Sequence, residues 1–367
     1  MSKKSSTFAP NFIVMKVVLA IDSFKGCMSS AEANRAAAQG VHDACCDAET
    51  LELTVSDGGE GFLDAFQTAI GGTFIHLTVK DPLLRDVPAR YLLQSVNSSS
   101  VAVLEVAEAC GLYRLAENER NPLIASSYGV GQLVLDAVAR GAKHVIVGLG
   151  GSGTSDAGRG MIEALQDSGF KGSRVQEWQD VQFTIASDVE NPLCGPNGAA
   201  HIYGPQKGAT QEMVQLLDNQ ARAFADEAAR QLGYDRSEEP GAGAAGGLGY
   251  AFMQFLHAKR RAGIDLLLEA LRFDERVRDA DLIITGEGAA DRQTLMGKLP
   301  VAILRHGGSV PVCLLAGQVA DQTQLLKAGF LRAESINPPG LSLDQAMKKE
   351  VAIANIRSAT QHLIEAL

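Results

Sequence analysis

Four loops of small residues, each carrying one or two charges, constrain this chain most. They read Asp22-Ser23-Phe24-Lys25-Gly26, Ser56-Asp57-Gly58-Gly59-Glu60-Gly61, Gly148-Leu149-Gly150-Gly151-Ser152-Gly153-Thr154-Ser155-Asp156 and Thr285-Gly286-Glu287-Gly288. Short apolar runs that read as strands precede them, as in 15–21 (MKVVLAI), Leu51–Val55, His144–Val147 and Leu282–Thr285. A strand buried on both faces of a parallel sheet is a continuous apolar run, and chemistry in such folds sits where the strand gives way to the next helix. Glycine there lets bare backbone N–H groups approach a ligand closely. So many loops of this kind point to ligands rich in oxygen and negative charge.

The order of elements extends this. Ser29 and Glu32 form a capping-box pattern that predicts a helix through about Gly40, and a helix from about Gly61 to Ile70 is stopped by Gly71-Gly72. This βαβα order argues for a parallel sheet. Strand-like pieces then follow one another (Phe74–Val79, Ala89–Leu93, Val101–Val106), which predicts a mixed or antiparallel region. Helices are expected at about 127–139, 157–167 and 211–232, and residues 233–249 read as a glycine-rich loop. A strand at Val310–Leu315 returns to the opening style. The expected architecture is two α/β domains. One is Rossmann-like with a parallel sheet built from both chain ends, residues 15–75 and 281–367. The other, 76–280, is inserted and has a mixed sheet. Residues 1–14 are set aside as an N-terminal extension.

Composition narrows the partners. The 367 residues carry a net charge of −10 without a cluster of Lys or Arg, which argues against nucleic acid. No apolar stretch reaches the length of a membrane span. The six cysteines are scattered without a C-x-x-C pair, as expected of reduced thiols in a cytoplasmic protein. The seven histidines show no metal-ligand spacing.

Gly148, Gly150 and Gly153 match the dinucleotide pattern G-x-G-x-x-G, but so do Gly241, Gly243 and Gly246, where no strand precedes. No convincing acidic residue follows at the spacing a nicotinamide site needs. A cradle for phosphate or carboxylate needs only the glycines. Gly297-Lys298 is followed by Leu299, so there is no Walker A loop, and Ser152 lacks the frame of a hydrolase nucleophile. Lys25, Lys207 and Lys298 each stand beside glycine in a loop, where an ammonium can reach a phosphate. Asp22, Asp57, Glu60, Asp156, Asp188, Glu287 and Asp291 are acidic residues placed to hold Mg²⁺ or to take a proton from an attacking hydroxyl. Asp57 and Asp156 also read as N-caps, and Asp22 and Asp188 as Asx-turns.

Together the loops resemble the type I glycerate kinase family from Met15 onward. The resemblance is carried by the four loops above and by Ser187–Gly195, Tyr203–Ala209, Gly241–Gly249 and the group Asp291, Gln293, Thr294, Gly297 and Lys298. It implies transfer of a phosphoryl group from ATP, with Mg²⁺, to D-glycerate, giving 2-phosphoglycerate in most of the family. Two positions depart from the family pattern: Ala289 stands where arginine is usual and Ser155 where asparagine is usual. On motif membership and residue chemistry, Asp188 is expected to be the base, with Asp57 second and Lys25 assisting. Ser23, Lys25, Gly58, Gly59, Glu60, Gly150, Gly151 and Ser152 are expected at the substrate. Lys207, Gly246, Gly247, Gly286 and Lys298 are expected at ATP, and Glu287 and Asp291 at the metal. The competing readings are a hydroxy-acid sensor without turnover and a nicotinamide-dependent oxidoreductase. Oligomeric state is left open.

Overall fold

The computed structural model describes residues 14–24, 26–56, 61–96, 99–169, 178, 180–292 and 294–367. The strands, in chain order, are β1 Lys16–Ile21, β2 Glu49–Glu52, β3 Thr73–Lys80, β4 Asp86–Val96, β5 Ser99–Glu105 and β6 His144–Gly148. They continue with β7 Gln182–Ala186, β8 Lys259–Arg261, β9 Leu282–Ala290, β10 Val312–Val319 and β11 Arg332–Ser335. The chain divides into two compact units. One comprises the residues up to Thr54 together with Arg272–Leu367, and the other is Val55–Leu271.

The first unit holds a five-stranded sheet in the order β11-β10-β9-β1-β2. Every pairing in it is parallel, as expected of the strands from the two chain ends. Val17 to Ile21 are fully buried, which is why β1 is a run of unbroken apolar residues. The helix Ser30–Ala44 begins at Ser29 with both halves of the capping box in place. Its fully buried Asn34 accepts from the Ile21 amide (3.0 Å) and donates to the Leu53 carbonyl (2.8 Å). That second bond takes a carbonyl that ladder pairing would otherwise use. β2 therefore spans Glu49–Glu52 and stops short of the expected Leu51–Val55.

The second unit holds a six-stranded sheet in the order β3-β4-β5-β6-β7-β8. β3, β4 and β5 are antiparallel, and β5 through β8 are parallel. This is the mixed sheet expected of the inserted region. The sequence reading placed the boundary near residue 75. In the structure, helix Phe62–Ile70 and β3 fall in the second unit: β3 is hydrogen-bonded along its length to β4, and the Leu63 amide donates to the Glu105 carboxylate at 2.7 Å. The glycine-rich segment is also different from the expected loop. A helix, Ala244–Leu256, already begins inside it, interrupted by left-handed backbone at Ala245, Gly246 and Gly247.

One glycine in the first unit carries a packing load. Gly40 lies inside the helix Ser30–Ala44, where glycine ordinarily costs about 1 kcal/mol relative to alanine. A Cβ at this position would stand 2.3 Å from the carbonyl oxygen of Arg357 in the helix Lys349–Glu365. The two helices approach through bare backbone. Gly40→Ala, which propensity alone would favour, is expected to destabilise the protein by roughly 1–3 kcal/mol through overpacking. Urea denaturation of the variant beside the parent checks the sign.

Candidate active site

The carboxyl ends of β5, β6 and β7 stand side by side. Glu105 pairs in register with Gly148, and Gly148 with Ala186. The row brings Glu105, the loop Gly148–Asp156 and the segment Ala186–Asp188 to one edge of the sheet, the edge where open α/β sheets bind ligands. Asp188 is exposed there, two residues past the end of β7.

A loop of glycine, serine and threonine has little of its own to hold it in shape, and its conformation is imposed by neighbours. The Gly151 carbonyl accepts from Leu112 N (2.9 Å), and Gly153 N donates to the Cys110 carbonyl (2.7 Å). Gly151 is exposed and left-handed (φ 73°), while Ser152 and Thr154 are buried. Beneath them lies Lys207. Its ammonium donates to Ser152 Oγ at 3.0 Å and to the Thr154 carbonyl at 2.6 Å, and the residue is 2 % exposed. Burial lowers its pKa to about 8, so it is charged at neutral pH and places a fixed positive charge under the loop. Gly246 and Gly247, expected at ATP, are buried against this same loop. A Cβ on Gly246 would lie 2.0 Å from the Thr154 carbonyl oxygen, and one on Gly247 would lie 2.5 Å from Ala157 Cα.

Asp156 closes the loop. Its carboxylate accepts from the amide and hydroxyl of Ser127 (2.8 and 2.7 Å) and from the amides of Gly158 and Gly160 (both 3.1 Å). The bond from Gly160 ties Asp156 to the first turn of the helix Arg159–Asp167, but the N-cap position itself is held by Gly158, not by Asp156 as its N-cap reading had it. Gly150, Gly151 and Ser152 are thus brought together over Lys207, with Asp188 leaving the neighbouring strand end.

The sequence reading missed Glu105. It ends an apolar strand, and that was its only signal. Its carboxylate accepts from the first turn of the helix Phe62–Ile70, which starts at Gly61 without a side-chain cap. Desolvation is the main cause that raises its pKa to about 7, with Glu108 and Asp64 adding to the rise. The ring of Phe62 stands 2.9 Å from where a Cβ on Gly148 would be, so the start of this helix rests on the strand that feeds the glycine loop.

In the first unit, the segments after β1 and along β9 form the corresponding edge. The Asp22 amide donates to the Gly286 carbonyl (2.9 Å), and the half-buried Ser23 has its amide on Asp22 Oδ1 (2.7 Å). Gly286 is enclosed between β1 and β10: a Cβ there would stand 2.2 Å from the Leu315 carbonyl oxygen. Glu287 is buried. Its carboxylate accepts from Thr294 Oγ1 (2.6 Å) and faces the Lys298 ammonium at 3.5 Å. Burial is the largest influence on its pKa and raises it. Half-buried Asp291 donates its amide to Thr294 Oγ1 (3.0 Å), so Glu287, Asp291, Thr294 and Lys298 form one cluster. Lys25, Asp57, Gly58, Gly59, Glu60 and Gln293 lie outside the described residues.

Two outcomes follow from the buried ionisable groups. Between about 8 and its ordinary 10.5, Lys207 binds fewer protons folded than unfolded, so its contribution makes stability rise with pH across that window. Lys207→Met is expected to remove this rise. It also leaves Ser152 Oγ and the Thr154 carbonyl without their donor, at about 1–3 kcal/mol for a buried group so orphaned. Urea unfolding of parent and variant at pH 7.5, just below the window, and at pH 10, towards its upper end, reads both effects. Glu105 gives the opposite slope. Its folded pKa of about 7 lies above its ordinary 4.5, so the folded chain holds the extra proton and stability falls as pH rises from 4.5 to 7. Glu105→Gln keeps an acceptor for Leu63 N and is expected to flatten that fall, which thermal melts at a series of pH values would reveal.

The model of the glycerate kinase family matches residues 17–172 and 167–367. Glycerate kinase of Bacillus subtilis is 38 % identical over 358 residues, covering 91 % of this chain and 93 % of that protein. Glycerate 2-kinase of Escherichia coli is 35 % identical over 377 residues, covering 96 % and 98 %. A crystal structure of a Salmonella typhimurium LT2 protein assigned as glycerate kinase 2 superposes with a TM-score of 0.81 at 34 % identity, covering 96 % of this chain and 98 % of that one. The chain belongs to the glycerate kinase family, enzymes that transfer a phosphoryl group to an alcohol.

Proposed function

We propose that this enzyme phosphorylates D-glycerate at the 2-hydroxyl, using ATP and Mg²⁺, to give 2-phosphoglycerate. The observation that carries the reading is the loop Gly150–Ser152 held over the buried ammonium of Lys207, beside Asp188 at the next strand end. Glycine backbone over a fixed positive charge suits the carboxylate of a small hydroxy acid or a transferred phosphoryl group. Phosphoryl transfer asks mainly for positioning and for charge neutralisation, and both are properties of such a loop.

In this reading Asp188 takes the proton from the attacking hydroxyl. A carboxylate at an exposed strand end is accessible to substrate and needs to accept only one proton per turnover. Lys25 and Asp57 would support substrate. Lys207 acts through the loop it holds, as a positioning residue. Glu287, Asp291 and the Thr294 hydroxyl offer only oxygen donors, which fits Mg²⁺, an ion commonly bound by one or two carboxylates and substrate phosphates. When bound, the ion would neutralise the phosphates of the donor, and Lys298 would add a further positive charge beside them.

Asp188→Asn is expected to lower kcat by about 10²–10⁴-fold with the KM for D-glycerate within a factor of a few. Coupled ADP release reads the rate, and ³¹P and ¹H NMR of the product distinguishes 2-phosphoglycerate from 3-phosphoglycerate. Near-parental turnover would remove Asp188 from the mechanism.

A further inference from the structure

The first unit contains a cavity that none of the described predicted site residues lines. It measures about 490 Å³ and sits at the carboxyl ends of β9, β10 and β11, closed on one side by Phe24 just after β1. Its apolar lining includes Phe24, Val319, Ile336, Leu341, Leu343 and Met347. Gln318, Ser335 and Asn337 supply polar groups, and no Lys, Arg, Asp or Glu is among the described residues that line it.

The floor of the cavity is rigidly built. A Cβ on Gly317 would stand 2.6 Å from the Gly288 carbonyl oxygen, so β9 and β10 meet there through bare backbone. The Gly317 carbonyl accepts from Asn337 Nδ2 (2.7 Å) and from Ser335 Oγ (3.2 Å), and Asn337 Oδ1 accepts from Asn355 Nδ2 (2.9 Å). The rim is different. Leu343 is 75 % exposed and Met347 42 %, two apolar side chains that reach solvent beside the opening. Large apolar side chains left in water over a preformed cavity are what a ligand's apolar face would cover.

We propose that this cavity seats the base and ribose of the nucleotide that donates the phosphoryl group. The proposal rests on the reading of the chain as an ATP-using kinase. The volume is within the range of small-molecule sites, about 300–1,000 Å³, and suits a nucleoside. The lining disfavours the other candidates. A three-carbon hydroxy acid or a phosphate group would have to leave water without meeting a cation. A planar heterocycle with a few hydrogen-bonding edges meets both the apolar walls and the three polar side chains. The charge needed for the other end of the nucleotide lies next along the same strand: Glu287 precedes Gly288 on β9, and it is clustered with Asp291, Thr294 and Lys298. An apolar, nucleoside-sized pocket lined by Gly288, the neighbour in sequence of Glu287, suits one end of Mg²⁺-bound ATP, and the cluster of Glu287, Asp291 and Lys298 suits the other.

The test reads Met347 directly. In protein labelled with [methyl-¹³C]methionine, the Met347 methyl signal is assigned by its loss in Met347→Leu. Millimolar adenosine, which has no phosphate, is expected to shift that signal through the ring current of the base, and the non-hydrolysable ATP analogue AMP-PNP is expected to shift it at lower concentration. Ala346→Trp, a half-exposed position on the cavity wall, is expected to abolish the adenosine shift and to raise the KM for ATP by about tenfold or more, with the KM for D-glycerate unchanged. A Met347 signal indifferent to both adenosine and AMP-PNP, or an unchanged KM for ATP in Ala346→Trp, would overturn the assignment. A shift with adenosine in a protein that does not phosphorylate D-glycerate would keep the pocket and refute the substrate.

Discussion

The arrangement depends on one constraint: a loop that must offer bare backbone to a ligand cannot stiffen itself. In the stretch from Gly148 to Asp156 the side chains are too small to form a core of their own. Rigidity comes from below and behind, from the buried ammonium of Lys207 and from the left-handed glycines Gly246 and Gly247 pressed against Thr154 and Ala157. A buried charge is costly to desolvate, and burial lowers the Lys207 pKa to about 8. The structure accepts that cost at the place where a positive charge is useful. One group therefore holds the loop's shape and, in the proposed function, supplies its affinity for anions.

The same economy of bare backbone recurs in the first unit. Gly286 lets β9 run between β1 and β10 without a side chain, and Gly317 lets β10 approach β9 where the proposed nucleoside cavity has its floor. In both units the chemistry-bearing residues lie at the carboxyl ends of parallel strands, where side chains need not enter the ladder. Family membership shows phosphotransfer to an alcohol, and the glycine loop, buried lysine and strand-end aspartate are the arrangement on which the proposed mechanism rests.

Much of the fold was legible in order and in type. Continuous apolar runs marked β1, β6 and β9, and the Ser29–Glu32 capping box marked the first long helix. The failures were local and instructive. Leu53 to Val55 look as strand-like as the residues before them, but Asn34, nineteen positions earlier, takes the Leu53 carbonyl. Gly241–Gly249 has the composition of a loop, yet a helix begins within it, interrupted by left-handed glycines that are packed against Thr154 and Ala157. Lys207 read as a loop ammonium within reach of ATP phosphates, and no local pattern could have placed it at 2 % exposure beneath residues more than fifty positions away.

From its sequence alone, this protein was determined to be a two-part α/β chain with a parallel sheet drawn from both ends, a mixed sheet between them, and anion-suited loops at strand ends. These are consequences of periodicity, glycine placement and turn chemistry, all of which act over a few neighbouring residues. The tertiary structure decided what those loops rest on. It put Lys207 under Ser152, Glu105 beside Gly148 and at the start of the helix after Gly61, and a largely apolar cavity past Gly288. Burial, and with it the shift of an ionisable group or the opening of a pocket, depends on which distant segments come together, and that is written in no single stretch of the chain.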